Sequence, residues 1–217
     1  MKTVIFQVIA ISFILIAGCG PETSYIDTMH DSGKAVMALD YRDFDQAASE
    51  MVQSMLSSGA VKKADGSRYV MATGRIVNDT MQRIDTDQLM AKVEQELLNS
   101  GQVVMTSAVG GKIYPKDTQD KDEAGARDKM TYDMRDIRDS DVGDEFDQNT
   151  LPGKGTLISP HLSVSGKIFQ RNIRYDKGHQ QVEYYFQLRV SEIASGLVIW
   201  QNETLIGKRG SNKSVAW

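Results

Sequence analysis

Val182-Glu183-Tyr184-Tyr185-Phe186-Gln187-Leu188-Arg189-Val190 alternates in character: Tyr184, Phe186, Leu188 and Val190 are interleaved with Tyr185, Gln187 and Arg189. Successive side chains of a strand point to opposite faces, so this spacing predicts a strand with one face on the core. Leu157 to Phe169 and Leu197 to Ile206 are likewise rich in β-branched and aromatic residues, and Ala194-Ser195-Gly196 separates the last two strands as a hairpin turn would. Between the first two lies a long polar segment, with Arg171, Arg174 and Tyr175 followed by Asp176, Lys177, Gly178 and His179. It offers cationic and aromatic contacts of the kind enriched at binding hot spots. Arg171, Arg174 and Tyr175 are therefore the candidate partner-binding residues.

Further toward the N-terminus the period changes. Asp40 to Ser58 predicts a helix, with Asp40 as N-cap, Phe44, Ala48, Met51, Val52, Met55 and Leu56 on one face, and Gly59 as a stop. Tyr69-Val70-Met71-Ala72 ahead of Gly74 suits a short strand buried on both faces. A helix from about Thr86 to Ser100, capped by Asp85 or Thr86, carries Leu89, Val93 and Leu97 at four-residue spacing and ends at Gly101. Gln102 to Ser107 returns as a strand, which makes a right-handed βαβ unit. Asp120 to Arg138 predicts a third helix using Met130, Met134 and Ile137, and Asp139 to Gly155 reads as loop. No internal repeat is visible. The fold class expected is α/β (α+β), a mixed β-sheet flanked by helices.

The N-terminus has a different purpose. Lys2 precedes an apolar run from Val4 to Ala17, interrupted only by Gln7 and Ser12. That is a signal-peptide layout, and Gly18-Cys19-Gly20-Pro21 would break a helix before it reached the roughly 20 residues needed to span a bilayer. Ile16-Ala17-Gly18-Cys19 resembles the bacterial lipobox. The expected organisation is a signal peptide over 1–18, a lipidated tether over 19–39 beginning at Cys19, and a globular domain over 40–217. Cys19 is the sole cysteine, so an internal disulfide is excluded. A diacylglyceryl thioether with an acylated amine would give permanent anchoring, which one chain alone does not. Gly20 rather than Asp after the cysteine implies outer-membrane sorting. Fully extended, the tether reaches roughly 65 Å at about 3.3 Å per residue.

Charge and motifs exclude several classes. The net charge of −4 falls to about −5 once Lys2 leaves with the leader, the opposite of the basic face a nucleic-acid ligand requires. His30, His161 and His179 lie far apart with no ligand-like spacing, so no metal is expected. Leu151-Pro152-Gly153-Lys154-Gly155-Thr156 departs from the phosphate-loop spacing, no Gly-x-Ser-x-Gly elbow occurs, and the only thiol belongs to the anchor. Carboxylates at Asp139, Asp141, Asp144 and Asp147 depart from the EF-hand loop because Gly143 comes one residue early and no Glu closes it. A solvated acidic loop is the expectation there. No catalytic residue and no cofactor are predicted.

Taken in order, Asp40-Tyr41 leading into a helix with Met51-Val52 and Met55-Leu56, then Gly74-Arg75-Ile76-Val77-Asn78, Leu97-Leu98-Asn99-Ser100-Gly101, Val103-Val104-Met105-Thr106-Ser107-Ala108 and Ser195-Gly196-Leu197-Val198-Ile199-Trp200 resemble the LpoB family. The resemblance implies a domain similar to the N-terminal domain of TolB, without a catalytic centre. It implies an outer-membrane lipoprotein facing the periplasm, whose partner is a class A penicillin-binding protein that it activates in cell-wall synthesis. The chain departs from some relatives in having a short tether with no proline-rich run. A structural or secretion-related lipoprotein similar to CsgG, which joins a lipobox to a TolB-like domain, is the alternative. That reading would want alternating segments able to build a transmembrane barrel, and no clear pair is present.

Overall fold

The alternation over 182–190 is realised as a strand in the computed structural model of this chain, which describes residues 26–28, 30, 33–109 and 129–213. Among these the order is α1 (Tyr41–Ser57), β1 (Tyr69–Asp79), α2 (Thr86–Asn99), β2 (Val103–Met105), α3 (Lys129–Arg138), a 3-10 turn over Asp141–Glu145, β3 (Leu162–Arg174), β4 (His179–Glu192) and β5 (Val198–Ser211). The chain divides into two units, Met1–Ala35 and Val36–Trp217. In the first, His30 Nδ1 lies 3.0 Å from Asp27 Oδ2. All the elements belong to the second, which begins at Val36, ahead of the Asp40 boundary read from the sequence. Cys19 and the leader lie outside the described residues.

The sheet is mixed, with strand order β2-β1-β3-β4-β5. β1 pairs in parallel with β2 and with β3, whereas β3, β4 and β5 form an antiparallel meander. The parallel β1-α2-β2 segment is the βαβ unit expected. α1 and α2 pack together on one face of the sheet, where Met51, Met55, Leu89, Met90 and Leu97 meet Met71, Leu162, Val164, Ile168, Phe186, Leu188 and Val190 in one buried core. At α1, Asp40 accepts from the backbone of Arg42 and Asp43 while Asp43 accepts from the Asp40 N–H, a reciprocal capping box. Asp85 caps α2 by accepting from the Asp87 and Gln88 N–H groups, and past its end Gly101 takes φ 65°.

Several expectations are corrected. β1 does not stop at Gly74 but continues to Asp79. The pairing with β3 shifts between Thr73 and Ile76, so Gly74 sits in a bulge rather than at a terminus. β3 begins at Leu162 rather than Leu157, because Pro160 has no N–H to pair; His161 N–H donates to the Val70 carbonyl at 2.8 Å instead. Only 129–138 of the third helix is described, and there Met130 is 61% exposed while Met134 and Ile137 are half-buried. The acidic loop contains one 3-10 turn.

Between Val36 and α1 a short strap is fastened to the sheet by polar contacts. The Tyr184 hydroxyl donates to the Met37 carbonyl at 2.9 Å, and Gln82 Nε2 donates to the same hydroxyl. Leu39 N–H donates to Gln82 Oε1 at 3.2 Å. Lys208 donates to the Ala38 carbonyl at 2.7 Å and pairs with the Asp43 carboxylate. Burial pushes the Tyr184 hydroxyl up to about 12, the Gln82 hydrogen bond opposing and the nearby Asp43 carboxylate reinforcing the shift.

Candidate functional site

Directly opposed residues of paired strands share a face, so the register sorts the sheet into two sides. Leu162, Val164 and Ile168 stand with Val182, Tyr184, Phe186, Leu188 and Val190 on the helix side. The other side carries the odd-numbered residues of β3, β4 and β5, and no helix among the described residues packs on it. We call it the open face. Its side chains form cross-strand rows.

In one row Asp79, Phe169, Tyr185 and Leu205 stand side by side on β1, β3, β4 and β5. The Phe169 and Tyr185 rings are stacked with centroids 4.7 Å apart and planes 2° from parallel, and Leu205 is 53% exposed. The neighbouring row is Val77, Lys167, Gln187 and Glu203, with Lys167 paired to Asp79 at 2.6 Å and lying over the Phe169 ring. On the other flank come Arg171, Glu183 and Gly207, then Ile173, Gln181 and Arg209. The Glu183 carboxylate accepts from the Tyr185 hydroxyl and from Gln181 Nε2, each at 2.7 Å. Those two hydrogen bonds, with the field of Arg171, hold its carboxyl below the usual range against the cost of its burial. The same contact raises the Tyr185 hydroxyl.

The three candidate residues do not converge. Arg171 lies within β3 on the open face, its charge acting on Glu183 and Tyr185. Arg174 ends the same strand on the opposite side and lines a shallow cavity of about 290 Å³ with Asn172, His179 and Asn212. Only Tyr175 lies in the turn, where the Arg209 guanidinium stacks over its ring at 3.8 Å. The polar segment expected as a long turn is thus a strand end plus a tight turn closed by Asp176, which accepts from the Gly178 and His179 N–H groups at 2.7 Å each. Phe169, Lys167, Gly207 and Arg209 were not singled out from the sequence. Tyr185, Gln187 and Arg189 were placed opposite the core face by the alternation.

Other motifs resolve into local structure. Asp139 is engaged by Arg138 at 2.7 Å and Lys154 at 3.4 Å, and the Arg138 hydrogen bond draws its carboxyl down to about 2. Asp147 accepts from the Asn149 backbone and side chain. Among the described residues no three His, Cys, Asp or Glu side chains converge as a metal site would require. In the 151–156 loop the Thr156 hydroxyl donates to the Gly153 carbonyl, folding the loop on itself. No helix among the described residues is long and apolar enough to cross a membrane.

The architecture defines a class: an α+β domain whose mixed sheet is buried by helices on one side and presents an ordered surface of aromatic, cationic and amide groups on the other. The chain belongs to the LpoB family, whose model, described as peptidoglycan-synthase activator LpoB, matches residues 43–206. No curated protein matches. Among solved structures, the LpoB C-terminal domain from Salmonella enterica is 13% identical with a TM-score of 0.41, covering 76% of this chain and 98% of that one. The corresponding domain from Escherichia coli is 13% identical with a TM-score of 0.40 and the same coverage. The NMR structure of E. coli LpoB is 12% identical with a TM-score of 0.39, covering 90% of this chain and 87% of that one.

Proposed function

We propose that this chain is an outer-membrane lipoprotein, anchored through Cys19 and facing the periplasm, that binds a class A penicillin-binding protein and activates its peptidoglycan synthesis. The observation that carries the reading is the family match over 43–206. The open face supports it, because an activator of this kind needs an ordered recognition surface rather than a catalytic centre. Arg171 stands on that face, and Tyr175 adjoins it through Arg209. Arg174 ends β3 on the opposite side and stands outside this contact. A ligand that activates an enzyme does so only by its difference in affinity for the active and inactive states, so the face must fit the active synthase better.

The test is a lipid II polymerisation assay with the purified cognate synthase and the detergent-solubilised mature chain. Wild type accelerates synthesis, and Arg171→Ala together with Tyr175→Ala abolishes most of the acceleration. No stimulation by wild type overturns the activator reading; full stimulation by the folded double variant relocates the contact.

A further inference from the structure

We propose that β5 is the pairing edge of a homodimer: a second copy of this chain adds its own β5 antiparallel to it, about a two-fold axis that passes through Ile206 perpendicular to the sheet. The inference goes beyond the synthase-activator reading and does not depend on it. The two edge strands of the sheet are unlike. β2 has three residues, whereas β5 has fourteen, with no proline and with its one register shift at the start, opposite Val190 and Ser191. Edges are ordinarily kept short, interrupted or charged, because their unpaired N–H and C=O groups are a template for another strand. Lys208 does not guard this one, being engaged on the helix side by Asp43 and the Ala38 carbonyl. The direction of the free groups follows from the pairing. Asn212 N–H donates to the Gly178 carbonyl at 3.0 Å, just beyond the opposed residues His179 and Ser211, so that pair is of the non-hydrogen-bonded kind. Alternation along β5 then turns the backbone groups of Arg209, Gly207, Leu205 and Glu203 away from β4 and over the free edge. The Glu203 N–H agrees, since it donates to Asn202 Oδ1 at 2.9 Å.

The side chains say which strand fits. Those of Glu203, Leu205, Gly207 and Arg209 stand on the open face, along the edge their backbones present. An isologous contact meets itself, so the residue on the axis decides what faces what. An axis through Glu203 or Arg209 opposes like charges. Through Thr204 it sets Glu203 against Leu205, through Leu205 it sets Glu203 against Gly207, and through Gly207 it sets Leu205 against Arg209. Only the axis through Ile206 opposes Glu203 to Arg209 of the second copy, and symmetry repeats the pair at the other end. Opposite charges directly across strands stabilise a sheet. The same register lays Leu205, 53% exposed, across Gly207 of the second copy, where a Cβ would meet nothing within 4 Å. Both charges are ready for the contact. Glu203 accepts from Gln187 Nε2 and Arg209 donates to Gln181 Oε1 at 2.7 Å, neutral amides that orient them without cancelling their charge. Neither enters an ion pair with another described residue. The edge is complementary to itself in charge and in bulk, which makes the occupant a second copy.

The experiment is density-matched sedimentation velocity of the mature chain in detergent, with micelles in excess over chains, across a range of protein concentrations and with thermal melts of every variant. Wild type is expected to pass from monomer to dimer as concentration rises. Glu203→Arg and Arg209→Glu each place like charges together at both ends of the contact, and each is expected to weaken the dimer about tenfold or more. Mixed in equal amounts, the two variants oppose unlike charges at both ends, so heterodimers form with affinity near that of wild type. The double variant recovers the homodimer for the same reason, and it decides the matter if a single variant does not fold. Glu96→Arg, an equal charge change on α2, associates as wild type does. A wild type that stays monomeric, or that assembles past the dimer, overturns the proposal. Undiminished association of the folded single variants overturns the β5 contact, and failure of both the mixture and the double variant to recover it overturns the register about Ile206.

Discussion

Gly166 and Tyr184 show how single residues hold this sheet in shape. At Gly166 the β3 backbone lies so close to β4 that a methyl group would sit 2.7 Å from Leu188 Cδ2 as well as against the Gln187 carbonyl. Gly166→Ala is therefore expected to lower stability by about 1 to 3 kcal/mol, as overpacking does; a chemical denaturation midpoint equal to that of wild type would contradict the close approach. Tyr184 predicts a pH dependence. Its hydroxyl ionises near the ordinary value of 10 in the unfolded chain and at about 12 in the fold. Between these values the native state retains a proton that the unfolded state has lost. The stability it contributes is complete below 10 and is lost as pH rises through about 12. Denaturation curves across that window should fall more steeply for wild type than for Tyr184→Phe, and parallel slopes would show that the buried hydroxyl does not contribute.

The elements most legible in the sequence are those whose pattern is local. Asp40 marks the start of α1, and Asp85 or Thr86 that of α2, where Asp85 is the cap, because a carboxylate that accepts from the first-turn N–H groups stabilises a helix independently of what it packs on. Leu89, Val93 and Leu97 marked the buried stripe of α2 by spacing alone. Leu97 is fully buried, so Leu97→Ala is expected to cost about 2 to 5 kcal/mol in the same assay. An unchanged midpoint would place that stripe in solvent. What resisted reading was non-local. Gly74 looks like a terminus until β3 is aligned beside it, and Arg171 and Arg174 look like loop residues until β4 pairs with them as far as Gln180. Phe169 and Tyr185 meet only because register brings them opposite one another, and no local period specifies register between distant segments. The candidate surface was therefore half visible: its β4 residues followed from alternation, while its β3 and β5 residues required the pairing.

For the whole molecule, the proposed anchor and the domain are separable in experiment. Cys19→Ala is expected to abolish lipid labelling and to release the chain from the membrane fraction or leave it unprocessed. Stimulation of the synthase in detergent, where no tether need span a gap, should survive. Normal labelling and fractionation of the variant would refute Cys19 as the attachment point. The fastening of the strap at Met37 and Ala38 has a mechanical consequence. With the anchoring and partner contact proposed above, any pull on the tether would arrive at Val36. The Met37 carbonyl is held by Tyr184 of β4 and the Ala38 carbonyl by Lys208 of β5, so the load would divide between two adjacent strands. Under that proposal the junction would act as a strain relief, with the hydrogen bonds at Met37 and Ala38 taking up a pull ahead of the open face on the far side of the same two strands.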